Sequence, residues 1–305
     1  MKLARPIRTI SDIFKRTAQE WISDDTPQLG AALAYYSVFS LAPMVLLLLT
    51  IIGMLFREDP AGAWSRIVEQ MSYFLDRSAI EVVQNIAKNV ASTRKTALGG
   101  TIAFAIALFG ATGVFGQLQN ALNIIWSVKS KPGRGIWGFI RSRFLSFALI
   151  AGIGFLLLVS LVIEAAIKAL SHYMQSVLPG ALTIIVPIYL VFDFIIVTAV
   201  FAMIFKILPN AVVRWRDVWV GAVFTAIMFL LGKWGLGIYL GSGAAASAYG
   251  AASSLITLLL WIYYSSQILL FGAEFTQVYA RMCGTEIKPD KYAVRIERKE
   301  IEKSR

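Results

Sequence analysis

Six stretches of the chain stay apolar for 20 or more residues, at about 31–56, 98–126, 144–170, 181–207, 218–240 and 251–280. A helix rises ~1.5 Å per residue, so about 20 such residues cross ~30 Å of hydrocarbon. Six helices apolar on nearly every face have no place in a water-soluble globule of this size. Of 305 residues, 57% are hydrophobic and 15% charged, far below the roughly 25% charged fraction of soluble domains. The expected fold is therefore all-α, a polytopic membrane protein with six transmembrane helices.

An even number of spans puts both termini on one side of the membrane. The segments expected there, 1–30, 127–143, 206–217 and 281–305, hold 21 Lys/Arg against 10 Asp/Glu, while the opposite loop 57–96 holds six against five. Basic excess marks the cytoplasmic side, so both termini are expected inside. This gives a cytoplasmic N-terminal segment (1–30), a transmembrane domain (31–280) and a basic cytoplasmic tail (281–305). The first 28 residues show no apolar signal core, which leaves targeting to the first span. Topology also accounts for the formal net charge of +11. No RNA-reading motif accompanies that charge, so nucleic acid is not expected as a partner.

Outside the spans, the N-terminal segment sets Leu3, Ile7, Ile10, Phe14 and Trp21 at helical spacing with Lys and Arg between them. That pattern suits a helix at the inner interface or one packed on cytoplasmic loops. Between the first two spans, Asp59-Pro60 reads as a cap and first helical residue, followed by the stripe Trp64, Ile67, Met71 and Phe74. Ser78 to Glu81 fits a capping box, with Ile80, Val83, Ala87 and Val90 behind it. Residues 59–94 are thus expected to form an extracytoplasmic amphipathic helical hairpin, either covering the outer end of the bundle or packing on it.

Ionisable groups inside hydrocarbon cost about 2.5–3.5 kcal/mol each, so they persist where paired, wetted or used. Asp193 and Lys233 lie ~20 Å from the cytoplasmic ends of their spans and form either one polar site or two separately satisfied groups. Glu164 and Lys168 stand four apart with the acid first, the favourable order for a structural helix pair. Tyr264, Gln267 and Glu274 share one face of the last span, which must look into the bundle. In the first span Tyr36 and Ser40 precede Pro43, whose missing N–H frees a carbonyl near Phe39. In the second, Gly110, Gly113 and Gly116 precede Gln117, Gln119, Asn120 and Asn123, small residues and carboxamides that join helices within or between protomers. The substrate-path candidates are Asp193, Lys233, Glu274, Gln267, Tyr264, Tyr36, Ser40 and Asn123. One cysteine and one histidine leave no disulfide and no Cys/His metal set. Nucleotide-binding, zinc-protease and serine-hydrolase motifs are absent, so neither catalytic residue, cofactor nor metal is expected.

Several motifs, in order, resemble the YihY/virulence factor BrkB family of bacterial inner-membrane proteins. They are Ala31-Ala32-Leu33-Ala34-Tyr35-Tyr36 with Ser40-Leu41-Ala42-Pro43, Ala121-Leu122-Asn123-Ile124-Ile125-Trp126 and Leu208-Pro209-Asn210. Tyr249-Gly250, Leu260-Trp261-Ile262-Tyr263-Tyr264 and Phe271-Gly272-Ala273-Glu274 complete the set, and the likeness runs over about residues 25–282. It implies six transmembrane helices in a bacterial cytoplasmic membrane. The ribonuclease label once attached to the family is not carried over, because the chain lacks a His/Asp metal cluster. The expectation is a non-enzymatic transporter or flippase-like protein for a lipidic or amphipathic substrate, or alternatively a scaffold in envelope integrity. Membrane lipids are the expected partners, with a homo-oligomer left open.

Overall fold

A computed structural model of the chain describes residues 10–71, 77–93, 113–131, 152, 156, 182–241, 253–283 and 287–296. These residues are mostly helical. In chain order they form α1 (Ile10–Ser23), α2 (Thr26–Leu55), α3 (Pro60–Met71), α4 (Arg77–Thr93), a helix over 113–125 (α5), β1 (Val128–Ser130), α6 (Leu182–Ile207), β2 (Ala211–Val212), α7 (Trp215–Gly241), α8 (Ser253–Met282), β3 (Lys288–Pro289) and β4 (Ala293–Arg295). Among the described residues, three stretches are long and apolar enough to cross a membrane: Leu190–Ile207, Trp215–Tyr239 and Leu255–Met282. The third expected span, with Glu164 and Lys168, lies outside the described residues apart from Gly152 and Leu156, as does the first part of the second span.

Helix α8 is the organising element, packed against α1, α2, α4 and α7, while α6 packs on α7. The main core joins Leu122 and Ile125 of α5, Phe205 and Leu208 at the end of α6, Val218 and Ala222 of α7, and Leu270 and Ala273 of α8. The opposite face of α7 exposes Trp219, Val223, Ile227, Leu231, Trp234 and Ile238. Their spacing of three and four makes a continuous apolar stripe down one side of the helix, the reverse of a soluble helix with its polar face outward.

Helices α7 and α8 touch through a reciprocal device. Thr225 donates to the Gly221 carbonyl and Thr276 to the Gly272 carbonyl, each at 2.7 Å within its own helix. Each threonine side chain fills the space that a Cβ on the other helix's glycine would need: Thr276 over Gly221, Thr225 over Gly272. The hydroxyls are satisfied internally and the small residues let the two backbones approach.

The 59–94 hairpin has its expected cap: Asp59 Oδ1 accepts the Gly62 N–H at 2.8 Å, with Pro60 as the first helical residue. Trp64, Met71, Val83, Ile86 and Ala87 pack on Leu41, Val45 and Leu49 of α2. Helix α1 docks on the bundle through Ile13 with Phe275 and Val278, Phe14 against Phe224 and Phe275, and Trp21 against Phe271. An αL residue, Asp25 (φ 52), makes the elbow between α1 and α2.

The all-α expectation needs one addition. Two antiparallel two-stranded sheets close the end of the bundle opposite the hairpin: β1 with β4 (Val128 opposite Arg295, Ser130 opposite Ala293) and β2 with β3 (Ala211 opposite Pro289, Val212 opposite Lys288). Residues 287–296 therefore run as a belt across the loops that follow α5 and α6. Strands of two or three residues are too short to show an alternating pattern, so composition alone gives no sign of them.

Candidate functional site

The eight path candidates fall into separate neighbourhoods. The first lies where α8 meets the α1–α2 elbow. Thr26 Oγ1 donates to Glu274 Oε1 at 3.0 Å, and Glu274 is 0% exposed. One turn pair away, Gln267 Nε2 donates to the Pro27 carbonyl at 3.1 Å, and its amide occupies the place of a Cβ on Gly30. Gln277, buried on a flanking face of α8, donates to the Ile125 carbonyl of α5. Glu274 Oε2, Gln267 Oε1 and Gln277 Oε1 are buried acceptors without a hydrogen bond among the described residues. Glu20, Asp24 and Arg281 are near enough to act on the Glu274 charge, and Arg281 reaches Glu20 at 3.6 Å and Ser127 Oγ at 3.2 Å.

The second neighbourhood lies along the contact of α6 with α7. Asp193 and Lys233 are both half-buried and interact electrostatically. Their neighbours in sequence are exposed and apolar: Leu190, Val191 and Ile195 beside Asp193, Leu231 (62%) and Trp234 (71%) beside Lys233. Tyr264 of α8 reaches the same level of α7, its hydroxyl over Gly232.

Tyr36 and Ser40 are elsewhere, on α2. Ser40 is buried and donates to the Ser37 carbonyl at 2.9 Å. Tyr36 is exposed, lies against Gly113 of α5, and joins Tyr35 and Phe39 in an exposed aromatic row. Asn123 serves the belt end: its Oδ1 accepts the Asn210 N–H at 2.8 Å. Asn210 in turn donates to Ser130 Oγ at 3.0 Å, and its carbonyl accepts the Asp290 N–H at 2.9 Å. Gln119 donates to the Leu208 carbonyl at 2.8 Å. The Leu208-Pro209-Asn210 motif is thus a junction of α5, α6 and the belt.

Two residues and two Gly/Thr pairs escape the sequence reading. Thr26 and Gln277 look like ordinary polar residues near a helix end. The Gly221/Thr225 and Gly272/Thr276 pairs do carry a legible signal, a small residue four positions before a threonine on two different helices.

Long helices and an apolar exposed stripe define a helical membrane protein. Residues 17–297 match the family described as Virulence factor BrkB, and the chain belongs to that family. Among its relatives is a "UPF0761 membrane protein" of Pseudomonas aeruginosa, 30% identical over 264 residues that cover 84% of this chain and 60% of the relative. Another, of Tolumonas auensis and also named "UPF0761 membrane protein", is 28% identical over 83% of this chain and 80% of the relative. The chain spans about 60% of the length of the Pseudomonas relatives it matches. No solved structure matches it.

Proposed function

We propose that the chain is a multi-pass protein of the bacterial inner membrane, with six spans and both termini cytoplasmic, that moves a lipidic or amphipathic substrate across the bilayer without enzymatic chemistry. The observation that carries this reading is the half-buried Asp193–Lys233 pair. Charges buried for structure alone are normally sealed on all sides, because hydrocarbon offers them no solvation. Here the pair is half-buried, on stretches of α6 and α7 whose other exposed residues are apolar. A half-exposed pair of both signs can meet a polar headgroup while the attached tails stay in lipid.

A second reading, a non-transporting scaffold for envelope integrity, draws on the other neighbourhood. Thr26–Glu274 and Gln267–Pro27 join α2 to α8 as interhelical clamps and need no ligand to explain them. The two readings separate in proteoliposomes carrying a trace of fluorescent phospholipid, whose inner-leaflet fraction is followed by quenching from outside. Transport predicts that the wild type speeds exchange between leaflets and that Asp193→Asn or Lys233→Gln slows it about tenfold or more at unchanged melting temperature. A wild type no faster than empty vesicles overturns transport of that lipid class and favours the scaffold.

A further inference from the structure

The belt end carries a surface that neither reading uses. Helix α7 fixes its level against the bilayer: from Trp219 to Tyr239 it rises ~30 Å, the thickness of a hydrocarbon core, with exposed aromatic residues at both ends of the apolar stripe. Trp215 therefore lies one turn outside the hydrocarbon, at headgroup level, and is itself 52% exposed. Around it stand Arg214 and Arg216, both exposed, and Lys288, which β2–β3 pairing sets opposite the exposed Val212. Lys206 closes the inner side, its Nζ 5.3 Å from the Trp215 ring centre and bonded to the Val213 carbonyl. Farther along the belt, Lys129, Lys131, Lys291 and Arg295 are exposed as well. Of the acids nearest in sequence to these cations, Asp217 is buried and Asp290 half-buried; the exposed Asp25 belongs to the α1–α2 elbow.

The combination is specific. A rim meeting only water has no use for exposed Trp215, Val212, Val294 and Ile296 among its cations, whereas a rim pressed to a leaflet places aromatic and apolar groups in the acyl boundary and cations on phosphates. We propose that the Arg214/Arg216/Lys288 rim around Trp215 binds the phosphate headgroups of anionic phospholipids in the leaflet that α7 enters at Trp219. The site does not depend on transport. It reads net negative charge on a lipid, while the Asp193–Lys233 pair lies deeper and holds both signs.

The test uses the full chain in nanodiscs of equal phosphatidylcholine and phosphatidylglycerol, with retained lipids counted by native mass spectrometry. The wild type should retain phosphatidylglycerol preferentially. Arg214→Gln/Arg216→Gln/Lys288→Gln should cut that preference about tenfold or more, and the charge-keeping R214K/R216K/K288R should restore most of it. Lys88→Gln, on the exposed face of α4 in the hairpin, should leave it unchanged. If the triple variant does not fold, Arg214→Gln alone should give a partial loss at the wild-type melting temperature. Equal retention of both lipids by the wild type overturns the proposal, as does equal loss in K88Q. Fluorescence anisotropy with a labelled RNA oligomer in the same nanodiscs supplies the other arm. Binding that the triple variant abolishes while lipid preference stays intact would assign the rim to nucleic acid and overturn the lipid site.

Discussion

At residue scale the most consequential contact is the hydroxyl of Thr26 on the carboxyl of Glu274. Both residues are fully buried, so Thr26→Val changes little in volume and leaves Glu274 without its one hydrogen bond among the described residues. The expected cost is about 1–3 kcal/mol, read as a lower melting temperature in detergent. Replacing both partners, Thr26→Val with Glu274→Leu, should recover most of that loss, because the cost arises from an orphaned polar group and not from the missing bond itself. A double variant no more stable than Thr26→Val would show that Glu274 stabilises the bundle through another contact. Asn123 gives a parallel case: Asn123→Ala strands the backbone N–H of buried Asn210 and should also cost about 1–3 kcal/mol. Chemistry legible in the sequence ends here. That Glu274 and Gln267 face inward follows from the expense of turning them to lipid. That Glu274 meets Thr26, 248 positions away, follows only from how three helices cross.

At the scale of elements, apolar length located the helices well. Helices α6 and α8 fall within a few residues of the runs that announce them, while α2 and α7 begin five and three residues before theirs. Those early starts have a simple cause: hydropathy marks where lipid begins, and a helix needs no lipid to continue past it. Pairing of helices was not legible, because nearly every face of a span is apolar and even the polar face of α8 says only that it turns inward, not which neighbour it meets. The reciprocal Gly/Thr contact decides it for α7 and α8. Gly272→Ala would drive a Cβ into Thr225, whose own Cβ is fixed to the backbone and cannot swing away. The expected penalty is about 1–3 kcal/mol of overpacking, and adding Thr225→Gly should return part of it by reopening the space. If Gly272→Ala melts like the wild type, the two helices do not approach as closely as described.

At the scale of the whole molecule, two different devices hold the helices. The hairpin packs its apolar side chains along the flank of α2 at Leu41, Val45 and Leu49, and the belt end is held by backbone pairing between loops far apart in sequence. If the Asp193–Lys233 pair acts through complementary charge, exchanging the two as Asp193→Lys/Lys233→Asp should restore part of the leaflet exchange that either single neutral variant loses. Equal loss in the exchanged variant would tie function to position as well as sign. The belt also sets an order of events during synthesis. Strands β1 and β2 leave the ribosome long before β3 and β4, so the β1 loop must wait unpaired while α6, α7 and α8 are made, and the β2 loop while α7 and α8 are made. A nascent chain halted before residue 287 would hold its helices yet leave the 127–131 and 208–213 loops open to protease, and releasing it to full length should protect them. The belt, made after the helices it joins, thus acts as a clasp, shutting only on a bundle whose helix ends have already come together.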